Sequence, residues 1–202
     1  MTTLSPSAQI AQEVTCDFYG GILAGGYSRR FGRDKASFLL DGVTLLERQM
    51  ALLRELRPRK LLVSCRREQD LRASEGVALF HDEKENCGPM EGLRCLLSHL
   101  PTSSRVLVVA VDMPSLTVPF LRRLMQFAPA GKGLIPRHEN GYEPLCAVYS
   151  SDTLPLIEEL MVRGQFALQK LGEACVRENL CLTYEVPSEE RGFFRNMNTP
   201  SS

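Results

Sequence analysis

Short apolar segments alternate with amphipathic segments along most of the chain. Four short segments are rich in branched and aromatic apolar residues, which favours buried β-strands: 18–23, 61–64, 77–80 and 106–111. Three longer segments repeat apolar residues every three or four positions, as helices with one buried face do: 45–56, 89–100 and 117–127. Strands that alternate with helices predict a mostly parallel central sheet covered on both sides, a three-layer αβα fold.

The second half of the chain continues this alternation. It predicts three further strands at 133–136, 145–149 and 180–186, and two helices at 152–162 and 166–171. Two helix starts have recognisable signals, because Thr44 and Glu47 form a capping-box pattern and Pro89 suits the first turn of a helix.

Length and charge limit the classes of protein to consider. At 202 residues the chain is long enough for one domain with a substantial core. We assign that domain to residues 17–202 and expect the polar residues 1–16 to form a flexible tail. Because 24 Lys and Arg balance 24 Asp and Glu, the net charge of zero argues against a nucleic acid or a membrane surface as partner.

Cysteine usage and the N-terminal sequence indicate the compartment. Seven cysteines without a C-x-x-C pair argue against a disulfide framework and against a zinc site. The N-terminus lacks the basic and apolar regions of a secretory signal, and no apolar run approaches the ~20 residues that span a bilayer. We therefore expect a cytoplasmic protein with reduced thiols.

The segment 18–35, FYGGILAGGYSRRFGRDK, carries the clearest chemical signal. A buried strand leads into a glycine turn, and glycine permits the close backbone approach that a phosphate-binding turn requires. Four cations follow, Arg29, Arg30, Arg33 and Lys35. The spacing fits neither the P-loop nor the dinucleotide-binding fingerprint. The turn could be a solvated surface loop, but its free N–H groups and cations also suit a polyphosphate.

Three polar residues lie at the ends of the other predicted parallel strands. Ser64 ends the second strand, Asp82 follows the third, and Asp112 follows the strand 106–111. Ligands of open α/β sheets bind beyond the carboxyl ends of the strands, so we expect these residues to face the glycine turn. Asp112 suits Mg²⁺, which is bound by one or two carboxylates together with substrate phosphates. The alternative is that Asp112 and Asp82 are ordinary turn residues.

The cations and Asp112 together favour phosphoryl-transfer chemistry. Such reactions depend on positioning and on neutralising phosphate oxygens rather than on covalent chemistry by the protein. We expect Arg30, Lys35 and the backbone N–H groups of residues 24–27 to hold the β- and γ-phosphates, with Mg²⁺ on Asp112. The alternative is that Arg30 and Lys35 are ordinary solvent-exposed charged residues without a ligand.

Five segments between Gly20 and Pro200 form a series: LAGGYSRRFGRDK, HDEKENCGPMEGL, VDMP, EPLCAVY and FFRNMNTP. Together they resemble the motifs of the MobA-type molybdenum cofactor guanylyltransferases, in the nucleotidyltransferase superfamily. The series is specific in combination, whereas LAGG or DMP alone is weak. The resemblance implies a Rossmann-like nucleotidyltransferase fold of the GT-A-like type.

The resemblance also implies a reaction and its residues. The reaction is transfer of GMP from GTP to the terminal phosphate of molybdopterin cofactor, with release of pyrophosphate and with Mg²⁺ as cofactor. Arg30, Lys35 and Asp112 are the expected catalytic residues, and Asp112 is the expected metal ligand. The expected nucleotide-binding residues are Leu23, Ala24, Gly25, Gly26, Lys35, Ser64, Asp82 and Asp112. Further partners would be proteins of molybdenum cofactor biosynthesis or enzymes that receive the cofactor.

Two alternatives stay open at this point. A nucleotidyltransferase that uses CTP, or that acts on a sugar phosphate or another cofactor, would present the same sheet edge. A GTP-binding accessory protein without turnover would keep the glycine turn, although the joint presence of Lys35 and Asp112 argues against it.

Overall fold

The structure, a computed structural model, describes residues 17–25, 34–71, 75–84 and 86–197. The tail predicted at residues 1–16 lies outside these ranges. The strands within them are β1 (Tyr19–Leu23), β2 (Leu39–Leu40), β3 (Val43–Thr44), β4 (Leu61–Cys65), β5 (Val77–His81), β6 (Arg105–Ala110), β7 (Gly133–His138), β8 (Gly141–Tyr142), β9 (Cys146–Ser150) and β10 (Cys181–Glu185).

Short helices connect these strands. The α-helices are α1 (Leu45–Arg54), α2 (Pro89–Ser98), α3 (Val118–Phe127), α4 (Leu154–Val162) and α5 (Leu168–Arg177). The described residues also form three 3₁₀-helices, at Lys35–Ser37, Ser151–Thr153 and Ser188–Phe194. Within the described ranges, no helix has both the length and the apolar character that crossing a membrane requires.

The main sheet has eight strands and is mostly parallel, as predicted. Its order is β10-β7-β9-β6-β1-β4-β5, with β8 paired to β7, while β2 and β3 form a separate hairpin. Strands β6, β1, β4 and β5 are mutually parallel neighbours, and β9 runs antiparallel to both β6 and β7. The parallel half therefore carries the strand ends that the sequence assigns to the site.

Helices cover both faces of the sheet, which confirms the three-layer αβα arrangement. On one face, α1 and α3 bury an apolar core that includes Leu45, Leu53 and Phe120. On the other face, α2, α4 and α5 bury a second core that includes Leu93 and Ile157. The parallel strands are buried on both sides, as their continuous apolar sequence predicts.

The predicted helix signals are confirmed at the atomic level. The Thr44 side chain accepts a hydrogen bond from the Glu47 N–H, and the Glu47 carboxylate accepts one from the Thr44 N–H. This pair completes the capping box at the start of α1. Thr117 caps α3 in a similar way by accepting from the N–H of Phe120, and Pro89 is the first residue of α2.

The helix predicted at 166–171 is misplaced, because the structure forms α5 at Leu168–Arg177. Gly172 obscures this helix in the sequence, since glycine weakens a helix interior. The structure explains its presence: a Cβ at Gly172 would lie 2.8 Å from the Tyr142 ring, so only glycine lets α5 pack this closely on β8.

Candidate active site

The ends of β1, β4, β5 and β6 bring the predicted polar residues to one edge of the sheet. The register pairs Leu23 at the end of β1 with Ser64 of β4 and with Ala110 of β6. Asp82 follows β5 directly, and Asp112 comes two residues after the end of β6. The expectation that Ser64, Asp82 and Asp112 share an edge with Ala24 and Gly25, the described start of the glycine turn, is therefore confirmed.

Lys35 and Asp112 are in direct contact at this edge. Lys35 Nζ lies 2.8 Å from Asp112 Oδ2, and their side chains are 19% and 18% exposed. Lys35 reaches this position from the first residue of a 3₁₀-helix that is capped by Asp34, whose Oδ1 accepts from the Ala36 N–H. A cation and a carboxylate thus meet beside the strand that leads into the glycine turn.

The backbone around Asp112 is fixed from two directions. The Asp112 carbonyl accepts a 2.8 Å hydrogen bond from the N–H of Met197, so the end of the described chain lies against the Asp112 loop. From the other direction, the fully buried Gln49 of α1 donates a 2.7 Å hydrogen bond from Nε2 to the carbonyl of Met113. Sequence reasoning missed Gln49, which sits among leucines on the buried face of its helix.

Ser64 and Asp82 form a second pair on the opposite side of the glycine turn. The Ser64 hydroxyl donates a 2.5 Å hydrogen bond to Asp82 Oδ1. Burial raises the pKa of Asp82, although this hydrogen bond and the nearby charge of Arg66 oppose the rise. Ser64 is fully buried and its hydroxyl is bonded to Asp82, so its assignment to the nucleotide stays a prediction.

Gly25 lies against the Asp82 carboxylate. A Cβ at this position would be only 2.8 Å from Asp82 Oδ2, so any larger residue would collide with that oxygen. The requirement for glycine here is therefore one of space. Gly92 of α2 approaches from the other side, where a Cβ would lie 3.1 Å from Ser64 Oγ.

The backbone of the turn corrects one expectation. The sequence predicts that the N–H groups of Ala24 and Gly25 face phosphate, but both donate to the carbonyl of Ser64, at 2.8 and 3.2 Å. They complete the ladder between β1 and β4 instead. Gly26, Tyr27 and Arg30 lie outside the described residues, so the remaining assignments in this loop stay predictions.

The loop after Asp82 rests on a buried ion pair that the sequence did not reveal. Arg94 contacts both carboxylate oxygens of Glu91 at 2.9 Å and also bonds to Glu83 at 2.6 Å. Glu91 Oε1 additionally accepts from the N–H groups of Glu83 and Lys84. Burial opposes ionisation of Glu91, but Arg94 and these N–H groups prevail and lower its pKa. The only sequence signal is a charged pair three residues apart on an otherwise apolar helix.

A further carboxylate, Glu143, lies at the same edge of the sheet on the side of Asp112 away from β1, just before β9. Glu143 Oε1 is 2.7 Å from His138 Nε2, and both side chains are mostly buried. Burial raises the pKa of Glu143, while His138 opposes the rise. The N–H of Ala110 donates to the carbonyl of Leu145, so this pair borders the same edge as Asp112.

The donor set at Asp112 can be compared with what a divalent cation needs. No cluster of three or more His, Cys, Asp or Glu able to hold a metal occurs within the described ranges. Asp112 is a partly exposed carboxylate with one oxygen on Lys35. This arrangement does not form an all-protein metal cage. It does fit a cation such as Mg²⁺, which is usually shared between one or two carboxylates and substrate phosphates.

Comparison with known proteins gives consistent matches over most of the chain. A family model described as MobA-like NTP transferase domain matches residues 20–178. The chain is 37% identical over 185 residues to a probable molybdenum cofactor guanylyltransferase of Opitutus terrae, covering 90% of each chain. It is 36% identical over 186 residues to a protein of that name from Pyrococcus horikoshii, covering 88% of this chain and 92% of that protein.

Solved structures share the fold at lower identity. Molybdopterin-guanine dinucleotide biosynthesis protein A of Archaeoglobus fulgidus superposes with a TM-score of 0.70 at 24% identity, covering 91% of this chain and 94% of that chain. A 2-C-methyl-D-erythritol 4-phosphate cytidylyltransferase of Thermus thermophilus superposes with a TM-score of 0.66 at 15% identity, covering 92% and 94%. These likenesses show the nucleotidyltransferase fold.

Proposed function

Since this chain belongs to the MobA-like NTP transferase family, we propose that it transfers GMP from GTP to the terminal phosphate of molybdopterin cofactor. The observation that carries the proposal is the contact between Lys35 and Asp112 on the edge that also holds Gly25 and Asp82. The relatives named as molybdenum cofactor guanylyltransferases are similar over about nine-tenths of this chain, which supports the choice of substrates.

The reaction is an in-line displacement at phosphorus. A terminal phosphate oxygen of the acceptor attacks the α-phosphorus of GTP, and the bond from that phosphorus to the oxygen bridging to the β-phosphate breaks. The electron pair of that bond leaves with pyrophosphate. Because the attacking phosphate is already an anion, no general base is required. The protein contributes by orienting the two substrates and by stabilising negative charge as it builds.

Lys35 is the described residue best placed to stabilise the leaving group. Its ammonium group is partly exposed beside the segment that begins with the glycine turn. As pyrophosphate gains charge, a nearby cation lowers the energy of the transition state. Arg30 and the N–H groups of residues 26 and 27 are proposed to assist from the rest of the loop.

Asp112 is proposed to bind a divalent cation, Mg²⁺, together with the phosphates. When bound there, the cation would neutralise negative charge on the phosphates. The carboxylate has a second oxygen besides the one bonded to Lys35, so it has an atom to offer a metal. A solved structure of this fold, a Mycobacterium tuberculosis protein with a TM-score of 0.57 at 15% identity, is a complex with manganese.

The sheet order separates two halves of the proposed cleft. Gly25, Ser64 and Asp82 lie on the side of β1, β4 and β5, whereas the His138–Glu143 pair lies on the side of β9 and β7. We assign the nucleotide to the first side and the acceptor to the second, with Asp112 between them. This arrangement lets the acceptor phosphate reach the α-phosphorus from the face opposite the leaving group.

A pyrophosphate-release assay with molybdopterin cofactor, Mg²⁺ and each of GTP, CTP, ATP and UTP tests the proposal. Of the four nucleotides, only GTP is expected to give pyrophosphate release. Preference for CTP would favour the alternative of a cytidylyltransferase, since the Thermus thermophilus cytidylyltransferase has the same fold. Tight GTP binding without any release would instead indicate an accessory protein.

A further inference from the structure

Gln69 lies in the segment that connects β4 to β5, is buried, and makes three hydrogen bonds with its side-chain amide. Its Nε2 donates to the carbonyl of Ala24 at 3.0 Å and to Asp34 Oδ1 at 2.7 Å. Its Oε1 accepts from the N–H of Arg66 at 2.7 Å. With only 6% of its surface exposed, Gln69 is among the few buried polar residues outside the proposed substrate contacts.

The orientation of the Gln69 amide is fixed by these partners. The two groups facing Nε2 are both acceptors, and the group facing Oε1 is a donor, so a flipped amide would oppose like atoms in all three contacts. The turn that carries Gln69 is closed in addition by a backbone hydrogen bond from the Gln69 N–H to the carbonyl of Arg66. The amide is therefore a rigid bridge.

The two acceptors lie at opposite ends of the segment 24–34, which begins with the glycine turn. Ala24 follows β1, at the point where the loop leaves the sheet, and Asp34 caps the 3₁₀-helix that begins with Lys35. The Gln69 amide thus connects the first and last residues of this segment. Because Asp34 Oδ1 also accepts from the Ala36 N–H, movement of Asp34 would move the helix that carries Lys35.

We propose that Gln69 is a positioning residue that holds Lys35 opposite Asp112 for binding of the nucleotide triphosphate. The inference deepens the proposed function, on which it rests for the identity of the nucleotide. Gln69 itself touches no substrate in this account. It acts through Asp34, by fixing the place from which the ammonium group of Lys35 reaches the phosphates.

A double-mutant cycle separates this role from a general contribution to folding. Gln69→Met removes all three hydrogen bonds while keeping the side-chain length. In an otherwise wild-type protein it is expected to weaken GTP binding by about tenfold and to lower kcat/KM by about tenfold to a hundredfold, because small misplacements of a binding group are costly. In a Lys35→Met background the same change is expected to cost at most about threefold, since the group that Gln69 positions is absent.

GTP affinity is measured by calorimetry and turnover by pyrophosphate release, each below the unfolding temperature of every variant. Gln126→Met, on the exposed side of the last turn of α3, is the matched control and is expected to leave both values unchanged. Equal effects of Gln69→Met in the two backgrounds would overturn the proposal. A wild-type protein that binds GTP but releases no pyrophosphate would refute the proposed function, yet the coupling would still be readable in GTP affinity.

A charge swap provides a second route if Gln69→Met does not fold. Gln69→Glu places a carboxylate against Asp34 Oδ1, and adding Asp34→Asn removes the repulsion between the two negative charges while leaving an amide oxygen to cap the helix. The proposal expects this second change to recover part of the GTP affinity, because the repulsion at the Ala24 carbonyl remains. Failure of Asp34→Asn to recover any affinity would contradict it.

Discussion

Lys35 Nζ lies 2.8 Å from Asp112 Oδ2, although 77 positions separate the two residues in the sequence. Both side chains are mostly buried, so the pair is intermediate between an exposed ion pair and a fully buried one. Its main consequence is spatial, because it places a cation and a metal-binding type of carboxylate together beside the glycine turn. The proposed phosphate chemistry requires that arrangement.

Replacing Lys35 should weaken GTP binding, whereas replacing a lysine away from the site should not. Lys35→Met removes the cation facing the phosphates, and we expect the dissociation constant for GTP to rise by about tenfold or more. The free energy of unfolding should fall by about 1–2 kcal/mol, between the costs of losing an exposed and a buried ion pair. Calorimetry and urea unfolding measure the two quantities.

Lys132→Met is the control for this lysine. Lys132 precedes β7 at the opposite edge of the sheet and bonds to Asn179 Oδ1. Its replacement should leave GTP affinity unchanged. If the two variants have the same affinity for GTP, Lys35 does not bind the phosphates.

Asp82→Asn should make the protein more stable near neutral pH while weakening nucleotide binding. Burial raises the pKa of Asp82 above its ordinary value of 3.8, so the folded state holds this proton where the unfolded chain has lost it. The stability of the wild type therefore falls as pH rises through that interval, and an uncharged Asn avoids this loss. The Asn carbonyl can still accept from Ser64.

Thermal unfolding at about pH 7 and about pH 3.5 tests this sign. The gain in Tm from Asp82→Asn should be larger at the higher pH, where the wild-type carboxylate is charged. Asp152→Asn, at an exposed position, serves as the control. A gain that is larger in acid would show that burial does not govern Asp82.

Gly25→Ala should disturb the same side of the site through contact alone. The added methyl group would sit 2.8 Å from Asp82 Oδ2, and Ser64 limits how far that carboxylate can move. We expect about tenfold weaker GTP binding, a loss typical of a displaced charged hydrogen-bonding group. Gly192→Ala adds a methyl group with nothing within 4 Å and should bind GTP as the wild type does.

Arg94→Met should destabilise the fold strongly, because it leaves Glu91 buried without its partner. Glu91 is 1% exposed, and loss of one member of a buried pair costs about 3–5 kcal/mol. Lys170→Met breaks a pair of the same spacing with Glu173 on the surface and should cost less than about 0.5 kcal/mol. Urea unfolding measures the difference, and similar costs for both variants would contradict the assigned role of burial.

Combining Arg94→Met with Glu91→Leu should recover much of the lost stability. The second change removes the unpaired buried charge, and apolar replacements of buried pairs are often tolerated. Recovery should be incomplete, because the N–H groups of Glu83 and Lys84 lose their acceptor.

The strands and helix starts could be predicted because their signals are local. The continuous apolar sequence of β6 and the capping box at Thr44 each depend on a few neighbouring residues, and the structure confirms both. Parallel strands then place Asp82 and Asp112 at one edge without further information. The end of α5 could not be predicted, because Gly172 is explained only by its contact with Tyr142.

The supporting residues of the site could not be predicted, because their partners are distant in sequence. Gln69 lies in a charged segment where a glutamine is expected to face solvent, yet it bonds to residues 35 and 45 positions away. Ser64 is at the expected place, but only the structure shows that its hydroxyl is used by Asp82. Sequence reasoning therefore found the strand ends and missed the groups that hold them.

Pyrophosphate release by Asp112→Asn measures whether turnover depends on the carboxylate that faces Lys35. The assay contains GTP, molybdopterin cofactor and Mg²⁺, and Asp152→Asn is run beside it as the control. We predict that Asp112→Asn keeps the wild-type fold, as judged by its Tm, and loses about a hundredfold or more in turnover, because the phosphates lose their metal-binding partner. Turnover by Asp112→Asn at the wild-type rate, at limiting metal concentration, would show that Asp112 does not bind a metal that the reaction needs.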